Sequence, residues 1–324
     1  MVEYTDFYLK GDYMNLSLLL CLFASSISYA SASTAQEIRT FLVFGARGWI
    51  GGKISTLLTE QGHTVYAAQA RLEDRESVER ELDLYKPDRV INAAGVTGRP
   101  NIDWCEDHKQ ETLRANIIGA LTLADTCFKR DIHMTNFGTG CIYEYDSEHL
   151  VYSGKGFKEA DEPNFAGSYY SKTKIMLDKL LQDYPNVLNL RLRMPISDDL
   201  HERSFITKII GYQKVVNIPN SMSVLTDLLP VSITMSLRKL TGVYNFVNPR
   251  VISHNQILDL YKKYINPAFN YTNFTVQEQD RILKARRSNN ELDAQKLLQE
   301  FPNIPCITES IVKVFERMQK SLQN

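Results

Sequence analysis

Thr40-Phe-Leu-Val-Phe-Gly-Ala-Arg-Gly-Trp-Ile-Gly51 decides the reading of this chain. Its first five residues, TFLVF, form an apolar run suited to a strand buried on both faces. The run leads straight into Gly45, Gly48 and Gly51, spaced G-x-x-G-x-x-G, and a helix is predicted from Trp49 to Gln61, ending at Gly62. Glycines at such a strand-to-helix turn permit a tight bend. They also let backbone N–H groups approach a pyrophosphate at the helix N-terminus and bring helix and strand close. The stretch predicts a dinucleotide site at the head of a βαβ unit.

The same rhythm continues outward from it. Thr64 to Ala68 reads as a second strand, Arg75 to Lys86 as a second helix, and Arg89 to Asn92 as a third strand. A helix around Glu106 to Lys129, a strand near His133 to Phe137, a helix carrying Tyr170 and Lys174, and a strand from Val187 to Leu192 follow. Strands alternating with helices imply right-handed crossovers and a doubly wound parallel α/β sheet. Beyond Arg193 the pattern loosens, with Pro195, Pro219, Pro230, Pro249 and Pro267 punctuating it, as in a region that caps a substrate. The expected organisation is an extension over 1–38, a cofactor-binding domain over 39–195, and a substrate-binding region over 196–324 that partly returns to the sheet.

The 324 residues carry 37 basic and 38 acidic side chains, a net charge of −1, with 44% hydrophobic and 23% charged residues. That balance supplies no field for nucleic acid or an acidic membrane and leaves small-molecule chemistry as the default. Five scattered cysteines (Cys21, Cys105, Cys127, Cys141, Cys306) form no Cys-x-x-Cys pair, so neither a disulfide framework nor a zinc site is expected. Cys127 and Cys306 read as small buried hydrophobes. Six histidines without ligand spacing read as surface or capping residues, and no metal site is expected. Leu16 to Ala32 is apolar and uncharged, with small residues imitating a signal-peptidase site. The acidic flank of Glu3, Asp6 and Asp12 is wrong for a signal peptide, although a start at Met14 would remove it. A disordered extension or mis-assigned start, and a cytoplasmic enzyme, are expected ahead of secretory targeting.

An NAD site would place an acidic residue about 20 positions beyond the glycine turn, on the ribose 2′-hydroxyl. Gln69, Ala70 and Arg71 stand there instead. With Arg47 inside the turn, Arg71 can clamp a 2′-phosphate, which favours NADP(H); two solvated arginines are the alternative. Asn92-Ala-Ala-Gly95 offers small residues, Ala93, Ala94 and Gly95, where a cofactor passes, or else tight packing. Trp49 and Ile50 open the helix beside the phosphates, with Trp49 equally readable as packing.

Tyr170-Ser-Lys-Thr-Lys174 puts a phenol and an ammonium four apart on one helix face. The ammonium is expected to lower the phenol's pKa from its usual value of about 10, giving an acid/base pair for a carbonyl or alcohol.

The glycine turn, Asn92-Ala-Ala-Gly95 and Tyr170-x-x-x-Lys174 resemble the extended short-chain dehydrogenase/reductases, a Rossmann-fold superfamily. Val96-Thr-Gly-Arg-Pro-Asn-Ile-Asp-Trp-Cys-Glu106, Gly140-Cys-Ile-Tyr-Glu-Tyr-Asp146, Val215-Val-Asn-Ile-Pro-Asn-Ser-Met222 and Arg287-Ser-Asn-Asn-Glu-Leu-Asp293 narrow the resemblance. They are similar to the plant-type nucleotide-rhamnose synthases, bifunctional UDP-4-keto-6-deoxyglucose 3,5-epimerase/4-reductases. The resemblance runs from Arg39 to the C-terminus. It implies a UDP-4-keto-6-deoxyglucose substrate, supplied by a separate UDP-glucose 4,6-dehydratase because no dehydratase domain precedes the reductase. It also allows a homodimer.

By the same resemblance Thr139 hydrogen-bonds the substrate carbonyl, and Tyr170 with Lys174 carries reduction. The nucleotide-sugar dehydratases follow that Thr with Asp and Glu, whereas Gly140 and Cys141 stand here, so dehydration is not expected. Cys141 matches the epimerisation cysteine of GDP-fucose synthase, and Lys208 is the expected second proton carrier. Pro195 is expected beside the cofactor, Asn217 beside the substrate, and Arg99 and Arg287 at the nucleotide phosphates. Two other readings stay open. One is a single-activity 4-keto-rhamnose nucleotide reductase; the other is a non-catalytic NADP-binding subunit like the beta subunit of methionine adenosyltransferase.

Overall fold

The run Thr40–Phe44 (β1) alternates perfectly between two cores, Phe41 and Val43 on one face of the sheet, Leu42 and Phe44 on the other. In the computed structural model, which describes residues 37–323, the chain continues through α1 (Trp49–Glu60), β2 (Thr64–Ala67), α2 (Arg75–Tyr85), β3 (Arg89–Asn92) and α3 (Trp104–Asp107). The apolar segment from Leu16 to Ala32 lies outside the described residues. Next come α4 (Lys109–Leu113), a π-helical turn (Arg114–Ile118), α5 (Gly119–Phe128), β4 (His133–Thr139), α6 (Tyr169–Leu181) and β5 (Val187–Leu192). Then follow α7 (Phe205–Ile210), β6 (Lys214–Val215), β7 (Pro219–Asn220), α8 (Leu225–Leu237), β8 (Gly242–Asn245) and β9 (Ile252–Ser253). The last elements are α9 (His254–Tyr264), β10 (Thr272–Asn273), α10 (Val276–Ile282), α11 (Gln295–Glu300) and α12 (Ile307–Gln323).

Six strands form one parallel sheet in the order β2-β1-β3-β4-β5-β8. The chain leaves β1 in one direction and returns on its other side, so the order reverses between β1 and β3. Ligands of doubly wound sheets bind at such a switch point, outside the carboxyl ends of the strands. One face is covered through Ile54, Leu58, Leu228, Ile233 and Leu297 of α1, α8 and α11, the other through Val78, Leu82, Leu123 and Leu177 of α2, α5 and α6. Full burial of each such side chain stabilises by roughly 1.5–3 kcal/mol. A third cluster joins Ile206, Ile257, Ile311 and Phe315 of α7, α9 and α12 beyond the sheet.

Polar side chains also cross the sheet. Asn92, Asn136 and Asn189 are register partners on β3, β4 and β5. Asn92 Nδ2 donates to Asn136 Oδ1, and Asn136 Nδ2 to Asn189 Oδ1, each at 2.8 Å. Asn189 Nδ2 ends the row on Asp178 Oδ1 of α6, also at 2.8 Å. The Asp178 carboxylate is paired with buried Arg191, Nη2 to Oδ2 at 2.6 Å.

Several local expectations change. The helix expected over Glu106 to Lys129 breaks at His108, whose φ of −123° is not helical, and its second part contains the π-turn. Pro230 punctuates nothing: it sits inside α8, whose packing against β4 and α1 offsets the missing N–H. β4 runs to Thr139, two residues past the expected end. His63, His133 and His254 are buried rather than exposed, and burial lowers their pKa. Cys306 is half-buried, with Sγ 3.2 Å from Thr308 Oγ1. Among the described residues no cluster of His, Cys, Asp and Glu could hold a metal, and no helix is long and apolar enough to cross a membrane.

Candidate functional site

Gly45 adopts a φ of +78°, and a Cβ there would stand 2.6 Å from the Ala93 carbonyl carbon. A Cβ on Gly51 would lie 2.1 Å from Gly45 O. The turn, the first coil of α1 and the end of β3 therefore meet at backbone distance, which only glycine permits. Gly48 caps α1 without any side-chain hydrogen bond, leaving the first-turn N–H groups without a side-chain acceptor. Such a cradle fits a dinucleotide pyrophosphate. Arg47 in the turn and Arg71 beyond β2 are both exposed, and neither guanidinium has a partner among the described residues. Glu81 accepts the backbone N–H groups of Gln69 and Ala70 at 2.8 and 3.0 Å, fixing the backbone just before Arg71. Trp49 turns away to packing: its indole donates to Asp199 Oδ2 at 3.1 Å and stacks on His201 at 5.2 Å.

The π-turn supplies a residue that the sequence did not single out. Asn116 is buried there, accepting from Val96 N at 2.9 Å and donating to Val96 O at 2.8 Å. Asn116 Oδ1 and Lys174 Nζ would lie 3.2 and 3.6 Å from a Cβ at Gly95. Gly95, Asn116 and Lys174 thus converge, joining the small-residue end of β3 to α6. A solitary Asn on the buried face of an apolar helix was the available signal, but the widened π-turn that aims it leaves no mark in spacing.

Ser168 caps α6 through Ser171 N, and Ser171 Oγ donates to Cys141 O at 2.7 Å, so the helix start is tied to the turn after β4. Thr139 ends β4 and accepts from Cys141 N at 3.1 Å. Tyr170 and Lys174 are buried, with Lys174 Nζ over the Tyr170 ring at 5.9 Å from its centroid. Burial pushes the Tyr170 phenol well above its usual range, Cys141 adds to the rise, and a hydrogen bond with Thr139 opposes it. The expected net lowering is absent because burial dominates, even with the Lys174 ammonium over the ring face. Burial brings Lys174 itself down to about 8.

Gly140 is close-packed, since a Cβ there would meet Leu292 Cδ1 at 2.5 Å. Cys141 is half-buried, its Sγ 3.4 Å from Arg193 Nη1 at the end of β5. Lys208 lies half-buried in the last turn of α7; burial lowers its pKa, and its ammonium has no partner among the described residues. Pro195 follows β5, its carbonyl accepting from Phe205 N at 2.9 Å, which starts α7 from the sheet's edge.

The expected substrate residues are placed differently from one another. Arg99 is 77% exposed, with Glu202 at 3.6 Å. Arg287 donates to Asp103 Oδ1 at 2.8 Å and to the Ala285 carbonyl, so its guanidinium already binds two loops together. Asn217 is exposed between β6 and β7. A further arginine, Arg203, clamps Thr97 Oγ1 at 2.8 Å and was not singled out in the sequence.

The fold thus brings together a glycine cradle, a buried Thr–Tyr–Lys group and a cysteine one residue beyond a close-packed glycine. Residues 41–214 match the NAD dependent epimerase/dehydratase family. The chain belongs to that family. Among curated relatives, the bifunctional dTDP-4-dehydrorhamnose 3,5-epimerase/dTDP-4-dehydrorhamnose reductase of Arabidopsis thaliana is 56% identical over 297 residues, 91% of this chain and 98% of the relative. This family member is also 56% identical over 274 residues to a trifunctional UDP-glucose 4,6-dehydratase/UDP-4-keto-6-deoxy-D-glucose 3,5-epimerase/UDP-4-keto-L-rhamnose-reductase of the same plant, spanning only 41% of its length. The crystal structure of the UDP-rhamnose synthase of Acanthamoeba polyphaga mimivirus superposes with a TM-score of 0.84 at 43% identity, covering 87% of this chain and 100% of that one. A dTDP-4-dehydrorhamnose reductase from Bacillus anthracis in complex with NADP shares the fold at 16% identity and a TM-score of 0.73. Within the family, the chain groups with the epimerase/reductases of nucleotide-rhamnose synthesis.

Proposed function

We propose that this chain converts UDP-4-keto-6-deoxy-D-glucose to UDP-L-rhamnose by 3,5-epimerisation followed by NADPH-dependent reduction of the C4 ketone. The observation that carries the reading is Cys141 beside the reductase triad: pure reduction needs Thr139, Tyr170 and Lys174 but no thiol. The C3 and C5 protons flank the C4 carbonyl, so their loss gives an enolate. Thr139 and Tyr170 are nominated to hydrogen-bond O4 and stabilise that charge. Cys141 and the unpartnered Lys208 are nominated to take and return protons on opposite faces of the sugar.

The glycine cradle and the two unpaired arginines fit NADP(H), which when bound supplies the hydride for C4. Tyr170 then gives its proton to O4. Its raised pKa keeps the phenol protonated at neutral pH, the form this step requires. Lys174, mostly charged at that pH, stands over the ring to stabilise the phenolate left behind. Gly140 and Cys141 stand where the nucleotide-sugar dehydratases carry Asp and Glu, which disfavours dehydration by this chain. A separate dehydratase is the proposed source of the 4-keto sugar. Exposed Ile118, Phe128, Met176 and Leu180 on the π-turn, α5 and α6 support a homodimer.

The test is to give the purified protein UDP-4-keto-6-deoxyglucose and NADPH in D₂O and to identify the product by NMR. UDP-L-rhamnose deuterated at C3 and C5 is expected, whereas an unepimerised 4-hydroxy sugar would leave only the reductase. A parallel assay with the dTDP sugar decides the nucleotide.

A further inference from the structure

Two arginines leave β5 one residue apart and meet opposite fates. Arg191 is buried and fully compensated by the Asp178 carboxylate. Arg193, 1% exposed, has no carboxylate among its hydrogen-bond partners in the described residues. Its Nη1 points at Cys141 Sγ (3.4 Å) and Ser288 Oγ (3.1 Å), and its Nη2 at Asn220 Oδ1 and Ser288 O. A buried ion without a counter-charge costs several kcal/mol. Among these acceptors only the sulfur can become an anion. Tyr145, whose charge would also be felt by Arg193, is kept a neutral phenol by burial and donates to the Pro219 carbonyl.

We propose that Arg193 is a positioning residue for proton transfer by Cys141, its guanidinium standing opposite the charge that sulfur carries during epimerisation. The inference rests on the epimerase reading above. When Cys141 gives its proton to the enolate carbon, the S–H bond breaks, a C–H bond forms, the C4 carbonyl is restored and sulfur keeps the electron pair as a thiolate. In the other direction the thiolate takes a carbon-bound proton and the released pair moves to O4. No oxidant or reductant is needed.

The guanidinium is held for this task. Ser288 Oγ spends its own hydrogen on the Tyr143 carbonyl at 2.6 Å and so presents a lone pair to Nη1. Asn220 Nδ2 donates to Asn289 Oδ1 at 3.0 Å, which turns its Oδ1 toward Nη2. The acceptors therefore fix the plane of the guanidinium and leave one N–H aimed at the sulfur.

Arg193→Gln and Arg193→Lys in the full chain test this with two readouts. The first needs no sugar: the rate at which iodoacetamide alkylates Cys141, followed by mass spectrometry of its peptide. We expect a fall of about tenfold or more in the Gln variant and partial recovery in Lys, a difference that a loss of packing alone would not produce. The second is the ratio of deuterium exchange at C3 and C5 to reduction of ready-made UDP-4-keto-L-rhamnose, expected to drop roughly 10²-fold in the Gln variant, the scale of a general acid–base contribution. Wild-type alkylation and an unchanged ratio in folded variants would overturn the proposal. Should the Gln variant not fold, Ser288→Ala, which removes one anchor of the guanidinium, must lower both readouts for the proposal to stand. A wild type without exchange would remove the epimerase reading, and the alkylation arm would still decide whether Arg193 acts on Cys141.

Discussion

Tyr170 and Cys141 lie close enough to interact but are mounted in opposite ways. Tyr170 and Lys174 project from a helix of thirteen residues with a serine cap, anchored through Asp178 to Asn189 and Arg191 of β5. Cys141 sits in the turn just past β4, and Lys208 on a helix of only six residues in the less regular region beyond β5. Hydride transfer tolerates one geometry, and its nominated proton donor is fixed to regular structure. Proton exchange must reach two carbons and both faces of one ring, and its nominated groups come from two separate segments, the turn after β4 and α7. The difference suggests that the two chemistries respond separately to mutation.

The strongest test of that separation is Tyr170→Phe. Reduction of ready-made UDP-4-keto-L-rhamnose should fall by about 10²–10⁴-fold, the usual range for a lost general acid, while deuterium exchange at C3 and C5 falls less. Equal losses would erase the distinction between the mounts. Next, Cys141→Ser and Lys208→Ala should each depress exchange by roughly 10²-fold with NADPH binding intact, as read by NMR of the product and cofactor titration. Exchange at the wild-type rate in both would assign the protons to other residues.

Smaller effects sharpen the contrast. Arg71→Ala should raise the Michaelis constant for NADPH about 10–100-fold more than that for NADH, since only NADPH loses a charge-assisted contact of roughly 1.5–3 kcal/mol. Equal shifts would remove Arg71 from the 2′-phosphate. Asn136→Leu strands the partner groups on Asn92 and Asn189 and should cost about 1–3 kcal/mol of stability, visible as a lower melting temperature. A neutral result would show that water takes over those bonds. Finally, Lys174 titrates at about 8 and acts as the ammonium, so the rate of reduction should decline as pH rises through that value.

The parts of the molecule legible in sequence are those where one residue type has one physical use. Glycine at Gly45 and Gly51 answers to backbone clearance, and the alternation of strand and helix follows from apolar period. The Tyr170–Lys174 pair was found by spacing, but its electrostatics were not, because burial outweighs the neighbouring charge and no sequence records burial depth. Arg191 and Arg193 are charged residues at the end of β5, yet both are buried. Their partners, Asp178 and Ser288, come from distant segments. Asn116 depends on a π-turn that hydrophobic spacing does not reveal, and the pairing of Arg287 with Asp103 joins segments far apart in the chain.

The row of asparagines has a consequence for assembly. Asn92 and Asn136 each donate to the next amide toward β5, while Asn92 Oδ1 accepts from Ala94 N just past its own strand and Asn189 ends the row on a carboxylate of α6. The row is complete only when β3, β4 and β5 stand in that order and in one alignment, because a slip of a single residue turns an asparagine to the opposite face. Apolar strands interchange readily, but a misaligned sheet here would bury several amide groups without partners. The fold carries its own proofreading for strand alignment, placed directly beneath the loop that must meet Lys174.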